Sequence, residues 1–313
     1  MNGIQTTPAT GRKRALWTRI KQYRWMYLFL LPAVAWYIVF AYGPIYGLQI
    51  AFKDYKIMRG IAGSPWVGLK HFEKMFSDPM FWQATRNTLV ISGLKLLFVA
   101  TSGLVLALLL NEVFHTRYRG FVTSITMLPH FFSWVVIASI LTTILSPSSG
   151  LVNAIIQAFG GQPVHFLADQ DWYLFWIVVS DMWESAGWNS IIFVAAIAAI
   201  PPDLYEAASI DGAGRMRQLV NVTLPGIAST VVVVMILKVG GVMNAGFDQI
   251  FNTYNTAVMD TADILDTYVY RQGIQNVKFS YSTAVGLFKN VINLALVLLT
   301  NAFSKRIGQG GLF

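Results

Sequence analysis

The sequence contains no cysteine, which removes disulfides, thiol nucleophiles and cysteine-ligated metals from the start. Charge is scarce as well: 12% of the 313 residues are Asp, Glu, Lys or Arg, about half the share of a soluble domain. The four histidines, His71, His115, His130 and His165, are scattered without a metal-ligand spacing. There is no GxxxxGK phosphate loop, so the chain does not supply an ATP site of its own. No Ser–His–acid set can be argued from the order of residues. Intrinsic enzymatic activity is therefore not expected.

What is abundant is oil. Hydrophobic residues make up 55% of the chain and the mean hydropathy is +0.53. Several apolar runs approach the roughly 20 residues a helix needs to cross about 30 Å of hydrocarbon. The sequence predicts an all-α integral membrane protein with six transmembrane helices, over 26–46, 88–110, 121–145, 172–200, 224–247 and 282–303. The first run follows a basic stretch as a signal peptide would, yet it continues for about 20 residues without a small-x-small cleavage site, so it reads as a retained span. The remaining divisions are a basic tail over 1–25, an extracytoplasmic segment over 47–87, a five-span core over 88–303 and a tail over 304–313.

The net charge of +8 is read as the mark of cytoplasmic loops and not of nucleic-acid binding. Arg12, Lys13, Arg14, Arg19, Lys21 and Arg24, then Arg117, Arg119, Arg215, Arg217, Lys305 and Arg306, all fall on one side of a six-span chain. That side is predicted to be cytoplasmic, with both termini on it. The segment between the first two spans dilutes the contrast with Lys53, Lys56, Arg59, Lys70, Lys74 and Arg86. By contrast, 147–171 has no basic residue, and 248–281 has only Arg271 and Lys278. Trp25, Tyr27, Tyr42, Tyr46, Trp172 and Tyr173 suit an interfacial aromatic belt, and Asp169 and Asp171 an exposed helix start.

One polar stretch interrupts the later spans: "PPDLYEAASIDGAGRMRQLVNVTLPG", over 201–226. It predicts two short helices with a glycine break. Asp203 is placed to cap the first, with Glu206 three positions on as in a capping box. Leu204, Ala207, Ala208 and Ile210 form a small apolar face, and Gly212 and Gly214 permit positive φ or close approach. Arg215, Arg217 and Gln218 open a second helix. Two readings are open on spacing alone, an ordinary connection and a docking helix for a cytoplasmic partner.

The motif in that stretch resembles the EAA loop of binding-protein-dependent ABC importer permeases. Glu206, Ala207, Ala208, Gly212, Val222, Leu224 and Pro225 match the family pattern. "WVGLKHFEKMFSDPMFWQATRNT" and "YLFLLPAVAWYIVFAYGPIYGLQIAFKDY" are similar to the corresponding segments of sugar-importer permeases, so the resemblance covers nearly the whole chain. It is strongest to the first-type permease subunits of carbohydrate importers, in the branch that handles complex saccharides such as alginate. The resemblance implies a type I (MetI-like) permease core in a bacterial cytoplasmic membrane. It implies a second permease subunit, two ATP-binding subunits that hold ATP and Mg, an extracytoplasmic solute-binding protein, and no cofactor on this chain. It also implies that Glu206, Ala207, Ala208, Ile210, Asp211, Gly212 and Ala213, with Leu224 and Pro225, dock on the ATPase.

Polar groups inside the spans are costly and mark pathways or partners. Lys95, Lys238 and Lys289 fall within them; Lys95, about two turns into its predicted span, is the one best placed to snorkel to the headgroups. Asp181, Trp183, Glu184, Trp188 and Asn189 cluster in span four, where a carboxylate and an indole on one face suit a sugar. Asn244 and Asp248 late in span five, and Asn290 and Asn293 in span six, add polar atoms that serve either cargo or span-to-span hydrogen bonds. Of these, Asp181, Trp183, Glu184, Trp188, Asn189, Lys238, Asn244, Asp248, Lys289 and Asn290 form the predicted substrate path. Lysines without full acidic pairing favour an anionic cargo such as a uronate oligosaccharide. Two other readings remain: a permease for amino acids or peptides, which shares the EAA loop, and a stand-alone ion-coupled carrier, which has no use for a docking helix.

Overall fold

The structure is a computed structural model and describes residues 21–113 and 115–306. Arg12, Lys13, Arg14 and Arg19 of the basic tail, and the end of the chain after Arg306, lie outside those residues. Among the described residues the regular structure is helical, with turns and irregular connections between helices and one isolated antiparallel bridge between Lys53 and Trp66. The chain divides into two compact units, up to Val67 and from Gly68 onward.

The first unit is built on α1, Arg24–Phe52. Its apolar side chains point outward on all sides, with Phe29 84% and Phe40 64% exposed. An all-round apolar helix of this length suits lipid. It ends in a small hairpin where Lys53 Nζ donates to the Ile61 carbonyl at 2.8 Å and Phe52 stacks on Trp66.

The second unit contains α2 (Lys70–Phe76), α3 (Pro79–Asn111), α4 (Thr116–Phe131), α5 (Trp134–Ile144), α6 (Leu151–Ala158), α7 (Gln170–Ala198), α8 (Pro202–Ile210), α9 (Arg215–Gly240), α10 (Phe247–Thr253), α11 (Leu265–Tyr270) and α12 (Phe279–Arg306). Four helices of the two units, α1, α3, α9 and α12, are long and apolar enough to cross a membrane, and six spans result if two bent pairs each count as one.

The first span runs on to Phe52 and the fifth begins at Arg215, both beyond the expected bounds; three further differences each have a local reason. The second span begins nine residues early, because Asp78 caps it through the Met80 N–H at 3.0 Å and Pro79 occupies its first turn, where a missing N–H costs nothing. The third is not one helix: Pro129 falls in a tightened last turn, Phe132 is extended, and Ser133 caps a new helix that leaves at 100°. The fifth stops at Gly240, and residues 241–246 form an irregular break that turns at Gly246 with φ of 95°.

Helix pairing is most extensive between α3 and α7. The two approach closely at Gly103, where a Cβ would lie 2.6 Å from Asn189 Cβ. On another face of α7, Gly187 sits against the backbone of α4, with a Cβ there only 2.1 Å from the Thr126 carbonyl oxygen. Glycine is what allows backbones to meet so closely. Three buried clusters fill the second unit: Met75, Phe81, Tyr268 and Tyr281 in one, Ile91, Tyr173, Ile177, Ala245 and Ile250 in another, and Ala107, Phe193, Ile197 and Ile227 in the third.

Polar ties hold the end of the unit where α3 begins. Asp78 Oδ2 accepts from Tyr268 at 2.7 Å and Tyr281 at 3.1 Å, joining α3 to α11 and α12. Burial pushes the Asp78 carboxyl up, but these phenols and the Met80 and Phe81 N–H groups outweigh it, so its pKa is lowered below 3.8. Nearby, Asp263 pairs with Arg271, and the hydrogen bond, set against the cost of burial, raises the arginine further above its ordinary value.

Candidate functional site

Helical periodicity puts Asp181, Glu184, Ser185 and Trp188 along one face of α7. Ser92, Lys95, Leu96 and Val99 form a matching face on α3. Between them lies a cavity of about 530 Å³, closed further by Leu237 and Lys238 of α9, the 241–246 break, and His130 at the end of α4. The cavity thus draws on four separate stretches of chain.

Its charges are arranged in a graded way. Lys95 Nζ lies 2.7 Å from Asp181 Oδ2, donates to the Ala245 carbonyl at 2.8 Å, and also donates to Gln249 Oε1. An ammonium has three donors, and all three are used. His130 Nδ1 lies 2.9 Å from Glu184 Oε1, and its ring stacks on Trp188 with centroids 4.5 Å apart and planes 17° from parallel. Lys238 has far less: among the described residues it makes one hydrogen bond, to Asn189 Oδ1 at 3.3 Å. Among the described residues Asn189 Nδ2 and Ser92 Oγ are buried without a hydrogen-bond partner, and such groups are expensive to leave unmatched.

Six predicted path residues therefore converge here: Asp181, Glu184, Trp188, Asn189, Lys238 and Asn244. Four do not line this cavity. Trp183 lies on the opposite face of α7 and is 48% exposed. Asp248, expected late in span five, is exposed on α10, beyond Gly240 where that span ends. Lys289 pairs with Asp266, tying α12 to α11. Asn290 is exposed on α12, while Asn293 accepts from the Met243 N–H at 3.1 Å. Lys95, set aside as a snorkelling candidate, is instead at the centre of the polar network, and His130 and Ser92 were not foreseen.

The polar stretch over 201–226 is a separate feature. Its first helix starts at Pro202 with Pro201 before it, so Asp203 lies in the first turn and no capping box forms. The helix ends as expected at Gly212, whose φ is 76°. There the Ala213 N–H returns to the Ala208 carbonyl and the Gly212 N–H to that of Ser209, a glycine-dependent helix stop. Gly214 needs no special φ, at −69°. Gln218 Nε2 donates to Ser209 Oγ and the Ala213 carbonyl, and the Tyr205 and Thr223 hydroxyls are 3.0 Å apart, so the underside is fixed. Its upper side is bare: Glu206 and Ala207 are exposed and Ile210 is 86% exposed. Leu224 is half-buried and Pro225 exposed inside continuous helix, next to a wide turn over Leu219–Thr223.

Residues 100–309, which hold both the exposed helix and most of the cavity, match the family described as binding-protein-dependent transport system inner membrane component. The chain belongs to this family. Its members are membrane components of ABC transporters, and the helical fold is that of their permease subunits.

Among relatives of this permease chain is the polygalacturonan/rhamnogalacturonan transport system permease protein YteP of Bacillus subtilis strain 168, 43% identical over 302 residues that cover 96% of this chain and 94% of that protein. Two crystal structures share the fold over nearly its whole length. A bacterial alginate ABC transporter, solved with an alginate pentasaccharide-bound periplasmic protein, aligns with a TM-score of 0.88 at 39% identity, over 95% of this chain and 99% of that one. A bacterial ABC transporter involved in the import of the acidic polysaccharide alginate aligns at 0.87 and 40%, over 94% and 99%.

Proposed function

We propose that this chain is the membrane-spanning permease subunit of an ATP-driven importer for an acidic oligosaccharide of the uronate type. The observation that carries the cargo class is Lys238, an ammonium with one weak neutral partner among the described residues, which lines the same cavity as the indole of Trp188. A carboxylate would satisfy the ammonium's open donors, while the ring offers an apolar surface for the C–H face of a sugar. The relatives point the same way: one is a permease for polygalacturonan and rhamnogalacturonan, the other two belong to alginate transporters.

The reading includes six spans, with α4 and α5 together making the bent third, and both termini in the cytoplasm of a bacterial inner membrane. It places the exposed helix over 202–210 against an ATP-binding subunit, with Glu206, Ala207, Ala208, Ile210, Asp211, Gly212 and Ala213 as the contact surface. Leu224 and Pro225 belong to the stem of the next span and serve the handle from behind. ATP and Mg are bound by two partner ATPases, and a second permease and an extracytoplasmic binding protein complete the assembly. This chain contributes the path and the handle, and no catalytic step.

The test is purification of the chain with whatever assembles on it, followed by reconstitution with the binding protein. Two ATPase subunits are expected to co-purify, and acidic oligosaccharides to stimulate ATP hydrolysis more than neutral ones of equal length. Recovery of no ATPase overturns the importer reading; equal stimulation overturns the acidic cargo.

A further inference from the structure

The two cavity lysines differ in a way that assigns them different work. Lys238 stands with Leu237 and Trp188, which are 57% and 48% exposed, so this part of the cavity is open. Lys95 lies where the cavity abuts the 241–246 break. Beyond it the chain is packed shut: Ile91, Tyr173, Ile177, Ala245 and Ile250 are each at most 1% exposed. With all three donors of Lys95 taken, cargo could bind it only by displacing a partner.

Those partners belong to three different pieces of backbone. Asp181 is on α7, Ala245 is in the break, and Gln249 is the first turn of α10. Gln249 passes the connection on, donating to the Ile177 carbonyl at 2.8 Å and Ser180 Oγ at 2.9 Å on α7. Gly246 turns with φ of 95° directly beneath the ammonium, where a Cβ would lie 2.8 Å from Lys95 Nζ. The break keeps only short turn hydrogen bonds of its own, such as Asn244 N–H to the Gly241 carbonyl. Asn293 of α12 holds its Met243 N–H, and Lys95 of α3 is the side chain that ties its far end, at Ala245, to α7. Irregular backbone at membrane depth survives only where something re-satisfies it.

We infer that Lys95 is a positioning residue that clamps the 241–246 break against α7 and so seals the extracytoplasmic end of the cavity, and that cargo passes only when the clamp is released. The inference rests on the importer reading for its sidedness. It makes the ion pair with Asp181 a gate contact and leaves recognition of the cargo to Lys238 and Trp188.

The absence of cysteine provides a direct measurement. Ser92 lines the cavity one turn from Lys95, is 5% exposed and has a hydroxyl without a partner, so Ser92→Cys is a near-isosteric reporter. The reporter chain is assembled with its partners in right-side-out vesicles and treated from outside with a charged, membrane-impermeant thiol reagent, and modification of this chain is read by mass. Lys95→Met is expected to raise the labelling rate by roughly fivefold or more, the lower end of an ordinary coupling between two states. Asp181→Asn, which keeps the shape and removes the charge, is expected to raise it in the same direction and serves if Lys95→Met fails to assemble. Ser190→Cys, at the fully buried centre of α7, is expected to stay unlabelled in every background.

Unchanged labelling at position 92 in both variants overturns the clamp. Equal increases at 92 and 190 overturn it too, because they report general loosening. If the complex carrying Ser92→Cys alone, with Lys95 and Asp181 intact, shows no ATP-driven uptake while the parent chain does, the reporter moves to Ala245→Cys. If the parent shows none, it is the importer reading that has failed.

Discussion

The exposed helix over 202–210 and the cavity between α3 and α7 are built on opposite plans. The first is contiguous in sequence, rigid underneath and bare on top, with its apolar side chains turned to solvent. The second gathers side chains from positions 92 to 246, and nearly every charge in it has a partner. On the proposed reading the first is a surface to be gripped, and such a surface has to advertise itself locally. A path through a membrane has to hide its polar groups from lipid, and can only do so by collecting them from several helices. The difference teaches which variants are local and which are distributed.

The sharpest way to break that contrast is at Gly212. Its φ of 76° lies in the left-handed region, where a residue with a Cβ pays roughly 1–2 kcal/mol, and a β-branched one is worse placed still. Gly212→Val is expected to abolish coupling, leaving ATP hydrolysis by the assembled complex but little uptake. Paired uptake and phosphate-release assays in proteoliposomes check this; normal uptake means the handle lies elsewhere.

Next in size is the cavity lysine. Lys238→Met is expected to raise the KM for an acidic oligosaccharide roughly tenfold or more, the value of a charge-assisted hydrogen bond, and to move the KM for a neutral one far less. Lys289→Met is the matched comparison, since that lysine pairs with Asp266 outside the cavity. It is expected to lower thermal stability without changing the preference between the two cargoes. If both variants shift preference alike, the separation between path and scaffold collapses.

The smallest expected effect concerns acid. Asp78 has its folded-state pKa below the unfolded value of 3.8, so its contribution is complete above that value and is lost as pH falls through the folded pKa. Asp78→Asn is expected to reduce stability at neutral pH and to flatten the fall in stability below about pH 4. Thermal unfolding of the purified chain in detergent across pH 3 to 7 reads it, and an unaltered acid limb removes Asp78 from the account.

How much of this was legible beforehand follows the same division. The motif from Glu206 to Gly212 could be read directly, since every group that defines it lies within one turn or two of the others. Its glycine stop formed where the spacing put it; the capping box did not, because Pro201 and Pro202 start the helix before Asp203 can serve as cap. The cavity was legible only as far as single-helix periodicity reached. Asp181, Glu184 and Trp188 share a face by arithmetic, and the same arithmetic places Trp183 about 200° around from Asp181, outside the set.

Lys95 was misjudged for a reason of depth. With the helix starting near residue 88 the lysine sits close to an end, but it starts at Pro79, which places Lys95 about 24 Å along its axis. That is the midpoint of the helix, where its ammonium is held by Asp181, Ala245 and Gln249, and the signal was present in Asp78–Pro79, a cap followed by a first-turn proline. His130 was hidden differently: Pro129 and Ser133 turn one expected span into two helices, and nothing in hydropathy reports a bend of 100°. Asp248 was lost because Gly240 and Gly241 end a helix that apolar content alone would continue.

One contact carries a mechanical corollary. Gly187 lies with its bare backbone on the Thr126 carbonyl, part-way along α7, which carries Asp181 on one side of that contact and on the other runs toward Pro201 and the exposed helix. Turned about that point, α7 is a lever with unequal arms: about 9 Å to Asp181 and about 16 Å to Ala198 at the rise of an α-helix. A push at the long arm reaches the carboxylate end reduced to little more than half, and reversed in direction. A large, soft stroke outside the membrane core would arrive at the ion pair as a short, firm one, which is the kind of motion that can part a salt bridge without tearing the packing around it.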